Sequence, residues 1–149
     1  AHDNAVPAGN GTLAGVLAKL FYLTGETAYR ERAEALIGAF SGDLERNPLV
    51  LATLLNGSEL LQDAVQIVIV GQRDERESQA LLRAVFAVCL PTCVLQVVKD
   101  PARLPAGHPA AGKAQVDGRA TAYLCRGPSC SLPLSDPEAL KEALLACRG

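Results

Sequence analysis

The run Val65 to Val70, VQIVIV, is β-branched at every position but Gln66 and is stopped by Gly71. Short, continuous and flanked by turn residues, it has the form of a strand covered on both faces. A second such run, CVLQVV from Cys93 to Val98, follows. Between them a polar turn with Asp74 and further acidic residues suits a helix N-terminus. Leu81, Leu82, Val85 and Phe86 then form an apolar stripe that ends before Pro91. Strand, helix and strand over this length make a βαβ unit, so the strands are expected to be parallel with a right-handed crossover.

The rest of the second half agrees with a small α/β module. Lys99 to Gly112, rich in Pro, Ala and Gly, reads as a surface excursion. Asp117-Gly118 between Val116 and RATAYLC is a two-residue hairpin signal. Asp136-Pro137-Glu138 supplies an N-cap, a proline at the first helical position and an acidic first turn for a helix running to about Ala146.

The first half is helical. Thr12 to Leu23 is apolar on nearly every face and is stopped by Thr24-Gly25. Tyr29, Ala33, Leu36, Ile37 and Phe40 then form one face of an amphipathic helix whose other face carries Arg30, Glu31, Arg32 and Glu34. The short LTGET connection makes these two an antiparallel αα hairpin. Asn47-Pro48 closes the hairpin, and Leu49 to Leu61 opens a third helix with a weak point at Asn56-Gly57-Ser58. The expected architecture is mixed α and β, with a helical segment over residues 1–64. A small three-layer-type α/β module with a short, partly parallel sheet follows over 65–149.

Composition removes several function classes. The chain has 149 residues, 49% of them hydrophobic, which is one ordinary domain's worth of core-forming sequence. Lys and Arg number 14 against 16 Asp and Glu, leaving no basic face for nucleic acid. No apolar run approaches the roughly 20 residues that span a bilayer, so no membrane partner is expected. Five cysteines, an odd number in a chain that does not need disulfides, favour a reducing cytoplasm.

Residues that carry chemistry are few. VIVGQRDERE has a strand, glycine, helix order without a phosphate-loop motif, so Gly71 reads as a structural glycine. His2 and His108 belong to no nucleophile or metal constellation, and His108 reads as a solvated loop residue. Cys89 and Cys93 in CLPTC, with Cys125 and Cys130 in CRGPSC, lack the tight-knuckle context of a structural zinc site; neither a metal nor a cofactor is expected. The turn between Cys125 and Cys130 is short enough for a disulfide or a redox pair. Apolar surroundings and a single nearby cation, Arg126, favour two ordinary reduced thiols instead.

DNAVPAGNG ahead of an apolar helix, LTGETAYRERAEAL, QIVIVG and above all GKAQVDGRATAYLCRGPSC resemble, in their order and spacing, the C-terminal part of a family. It is that of the thioredoxin-domain-containing proteins related to spermatogenesis-associated protein 20. The resemblance implies a parent with a thioredoxin-like domain, an α/α barrel similar to N-acylglucosamine 2-epimerase and a C-terminal α/β extension. This chain would then be the last barrel helices and that extension. It further implies that Asp3, Asn4 and Asn10 face the barrel cavity and contact a small sugar-like ligand. Ala8, where the family commonly has Ser, removes a hydroxyl there; a Pro-Gly turn with an Asn helix cap explains the same loop structurally. The expected function is one wall of a ligand cavity without a complete active site, with a noncatalytic scaffold as the alternative. The chain by itself is expected to be inactive, to pack against the remainder of its parent and to self-associate when alone.

Overall fold

The structure, a computed structural model, describes residues 2–148 as two compact units that divide between Ala64 and Val65. Six α-helices and a four-stranded sheet make up the described residues.

In the first unit α1 (Gly9–Thr24) ends where Gly25 takes a left-handed φ of 78° and its N–H donates to Phe21 O at 2.7 Å. Only Gly adopts that conformation without cost, so the stop is written in the residue. The connection Gly25-Glu26 leads into α2 (Thr27–Gly38), completing the expected αα hairpin. A short helix follows, α3 (Ser41–Arg46). The third long helix also differs from expectation: Pro48–Leu51 forms a 3-10 turn, and α4 runs over Ala52–Asp63. Pro48 has no N–H to give and holds Asn47 extended, at φ −153° and ψ 82°, which prevents a continuous helix from Leu49.

Helix α1 packs chiefly on α4 and then on α2. Gly11, Ala14 and Ala18, spaced three and four apart, give α1 a seam of small buried residues. Against it α4 sets Thr53, Leu54 and Gly57. Gly57, taken from sequence as a weak point, is where the backbones approach: a Cβ there would lie 3.0 Å from Gly15 N and 3.1 Å from Ala14 Cβ. Ala14, Leu51 and Leu54 form the core of this unit, with Leu36, Ile37 and Phe40 against them.

The second unit is built on a sheet of order β2-β1-β3-β4. Strands β1 (Val65–Val70) and β2 (Cys93–Val98) are parallel, in register from Val65 opposite Cys93 to Val70 opposite Val98. Strand β3 (Thr121–Arg126) runs antiparallel on the other side of β1, and β4 (Ser129–Cys130) pairs with its end. The helix between the parallel strands, α5 (Arg76–Phe86), places Leu81, Leu82 and Val85 on Val65, Ile67 and Ile69; α6 (Pro137–Ala146) adds Leu140 and Leu144 to the same core. Each such fully buried side chain stabilises by about 1.5–3 kcal/mol relative to exposure. The opposite face, with Val68, Val70, Val98 and Tyr123, is covered by Leu104 and Ala110 of the irregular excursion. That segment is pinned by Tyr123, whose hydroxyl donates to Ala114 O at 2.7 Å. The Asp117-Gly118 turn has φ of 53° and 69°, the type I′ geometry that such a pair supports, and closes a single bridge between Val116 and Arg119.

Candidate functional site

The N-terminal loop is organised by one carboxylate. Asp3 Oδ1 accepts the Ala8 N–H at 2.7 Å, and Oδ2 accepts the Thr53 N–H, also at 2.7 Å. Its own N–H donates to Val50 O at 2.7 Å. Thr53 stands in the first turn of α4, whose N-cap residue, Leu51, makes no side-chain cap. Asp3 therefore caps a helix from fifty residues before the Thr53 donor, satisfying an N–H the helix leaves open and placing negative charge at its positive end. These bonds, from Thr53 foremost and then Ala8, hold the Asp3 carboxyl below its ordinary pKa.

The three residues singled out in this loop thus part company. Both Asp3 oxygens are engaged by the backbone, whereas among the described residues no side-chain hydrogen bond involves Asn4, which is exposed, or Asn10, which is partly so. The cap of α1 is not an asparagine either: Ala8 occupies the N-cap position without a side-chain bond. Ala8 is instead fixed through its N–H on Asp3.

At the far end of the second unit Cys125 and Cys130 are joined in a disulfide, which overturns the expectation of two reduced thiols. The reason lies in strand register. Arg126-Gly127-Pro128-Ser129 forms the tight turn, with Gly127 at φ 56°, and this sets Cys125 directly opposite Cys130 with Cα atoms 4.0 Å apart. Directly opposed residues that do not share backbone hydrogen bonds come closest across an antiparallel pair. The neighbouring bond, Ser131 N–H to Leu124 O at 2.7 Å, holds that register. Cys125 is 6% exposed, while Cys130 is exposed. Cys89, Cys93 and Cys147 are free thiols, and burial pushes the Cys93 thiol up from its ordinary pKa.

The carboxyl end of β1 is closed by close packing. A Cβ on Gly71 would meet Ser78 Oγ at 2.6 Å and Ala120 Cβ at 3.2 Å, so the strand end and the first turn of α5 touch through a missing side chain. The Ser78 hydroxyl is buried there with no hydrogen-bond partner among the described residues. Glu77 Oε2 accepts the Ala120 N–H at 3.0 Å, and Arg119 Nε lies 3.7 Å from Oε1 of the same carboxylate. These contacts tie the first turn of α5 to the residues that lead into β3. His108 Nδ1 accepts the Ala110 N–H at 3.1 Å and serves its own turn. Among the described residues, no three His, Cys, Asp or Glu side chains gather to hold a metal ion. No helix of the described residues is long and apolar enough to cross a membrane.

What the fold and these groups define is a two-unit protein, with a helical unit clamped by a distant carboxylate cap and a mixed α/β unit whose edge hairpin is closed by a disulfide. The chain is similar to part of spermatogenesis-associated protein 20 from Homo sapiens, at 31% identity over 95% of this chain and 19% of that protein. The Rattus norvegicus protein of the same name is 31% identical over 95% of this chain and 18% of its own length. The chain thus spans about a fifth of the length of these relatives. No family model matches the chain. Nor does any solved structure match it.

Proposed function

We propose that this chain is a noncatalytic module of a larger protein related to spermatogenesis-associated protein 20, and that its helical unit is covered there by further helices. The observation that carries the reading is a stripe on α1. Leu13 is 48% and Val16 47% exposed, and half-buried Leu20 continues their spacing of three and four residues. At 100° per residue this stripe lies half a turn around the helix from the Gly11, Ala14 and Ala18 seam. A helix apolar on two opposite faces is built to be covered on both. On α4, Leu55 is likewise 47% exposed. No nucleophile, base and orienting group converge anywhere among the described residues to suggest chemistry of the module's own.

The test is the association state of the 149-residue chain alone. The chain is expected to self-associate, with substitution Leu13→Lys together with Val16→Glu converting it to a monomer in light scattering without loss of helical circular dichroism. A wild-type chain that stays monomeric at high concentration and binds no apolar dye refutes the reading. A second reading, one wall of a cavity for a small sugar-like ligand, is favoured by the amides of Asn4 and Asn10, which make no side-chain hydrogen bond among the described residues. In it Asp3 shapes the loop and contacts no ligand. Titration of the chain with monosaccharides, followed by amide chemical shifts of residues 3–11, separates this reading from the first.

A further inference from the structure

We propose that the Cys125–Cys130 disulfide is a thiol–disulfide exchange centre, entered at Cys130 by an external dithiol, with Cys125 as the leaving and resealing sulfur. Three observations carry this.

First, the bond adds little as a staple. A disulfide constrains the unfolded chain most when it closes a long loop, and this one joins residues only five apart. Backbone bonds already close the same hairpin. Ser131 N–H reaches Leu124 O at 2.7 Å, and Ala122 and Leu134 exchange N–H to O bonds at 2.8 and 2.9 Å. The Ser131 Oγ adds a bond from the Leu124 N–H at 3.2 Å.

Second, the same bonds make the pair reversible. They do not depend on the S–S link, so after reduction the two thiols stay opposed on neighbouring strands and can close again without a search.

Third, the two sulfurs belong to unlike residues. Cys130 sits on the exposed two-residue strand β4 at the sheet edge, and Cys125 is buried in β3. A thiolate arriving from solvent reaches Cys130. Cys125, once released, is held where other thiols do not reach it.

One thiolate of the dithiol attacks Cys130 Sγ, forming a mixed disulfide and expelling Cys125 Sγ as a thiolate that takes up a proton. The second thiolate of the donor attacks its own sulfur in the mixed disulfide and displaces Cys130 Sγ, which is protonated in turn. The donor leaves as a disulfide, and two electrons and two protons have passed to the pair. The reverse sequence oxidises a dithiol.

The test uses the full chain under native conditions, with peptide-mapped alkylation as readout. Dithiothreitol is expected to open the pair without denaturant and glutathione disulfide to close it, while amide protection in β1, β2 and α6 is unchanged. In Cys125→Ser, Cys130 is expected to take a glutathione adduct at least about tenfold faster than Cys125 does in Cys130→Ser. A bond that resists excess dithiothreitol until the chain is unfolded, or thiols that fail to close with glutathione disulfide, overturns the proposal. Equal adduct rates at the two cysteines overturn the assignment of Cys130 as the entry point. Wild-type reduction and closure stand as the decisive measurement if either variant fails to fold.

Discussion

Substituting alanine at Gly11 and at Gly15, four residues apart on α1, should move stability in opposite directions. A Cβ at Gly11 would lie 2.7 Å from Leu54 N, 2.8 Å from Thr53 C and 2.8 Å from Thr53 Cβ. Two of these are backbone atoms of α4, so no rotamer change relieves the contact; the helices must separate. Overpacking of this kind costs typically about 1–3 kcal/mol. Alanine also gains up to about 1 kcal/mol of intrinsic helix preference over glycine, less in a first turn. The expected net loss for Gly11→Ala is therefore about 1–2 kcal/mol. A Cβ at Gly15 meets nothing within 4 Å, so Gly15→Ala keeps the propensity gain and should stabilise by about 0.5–1 kcal/mol. Hydrogen exchange of peptides from α1 and α4 reads both changes locally, without requiring the whole chain to unfold in one step. Faster exchange in α4 for Gly11→Ala and slower exchange in α1 for Gly15→Ala are the expected pair. A Gly11→Ala chain with unchanged exchange, or a Gly15→Ala chain destabilised as much, would refute close approach of α1 and α4 at Gly11.

Two further substitutions probe the polar groups. Asp3→Ala should speed amide exchange at Thr53 and Ala8 near neutral pH. Because hydrogen bonds lower the folded-state pKa of Asp3, its contribution is present above the unfolded value and is lost as pH falls through the folded value, below 3.8. Wild type and variant should accordingly converge in strong acid, and a difference that persists there refutes the capping role. At Ser78 the buried hydroxyl has no partner among the described residues, so Ser78→Ala removes an unmet desolvation cost and should be neutral or stabilising by up to about 1 kcal/mol in urea unfolding. The same change removes the 2.6 Å contact that opposes Gly71→Ala, so that substitution should cost less in the Ser78→Ala background; equal costs in both backgrounds refute the packing account.

The parts of the fold legible in the sequence are those fixed by neighbours along the chain. The parallel pairing of β1 with β2 follows from two apolar runs and the α5 stripe between them, since an intervening helix leaves no other short path. The stop at Gly25 and the type I′ turn at Asp117-Gly118 are each dictated by residues that tolerate positive φ. The 3-10 turn at Pro48–Leu51 was hidden because proline announces an interruption without saying how many residues it consumes. Gly57 was misread for a related reason. Within one helix a glycine is only a loss of propensity, and its use emerges when Ala14 and Gly15 of another helix come to lie against it.

The two candidate sites show the same division on the scale of chemistry. In the Pro-Gly-Asn loop Asp3 engages both oxygens with backbone donors at Ala8 and Thr53, and the second of these, fifty residues away, is invisible to a reading of near neighbours. Once that is known, the polarity of the loop follows from what it must do: reach across the start of α4 and turn back into α1. For the cysteine pair the expectation of reduced thiols is overturned for a different reason. The partners are near in sequence, but the balance between thiol and disulfide turned on register, and register is fixed by β1 setting Leu124 opposite Ile67 and by Ser131 bonding to Leu124. A shift of one residue in β4 would turn Cys130 to the other face of the sheet. The disulfide is therefore a consequence of the sheet edge and not its cause, and for that reason its opening should leave the edge in place.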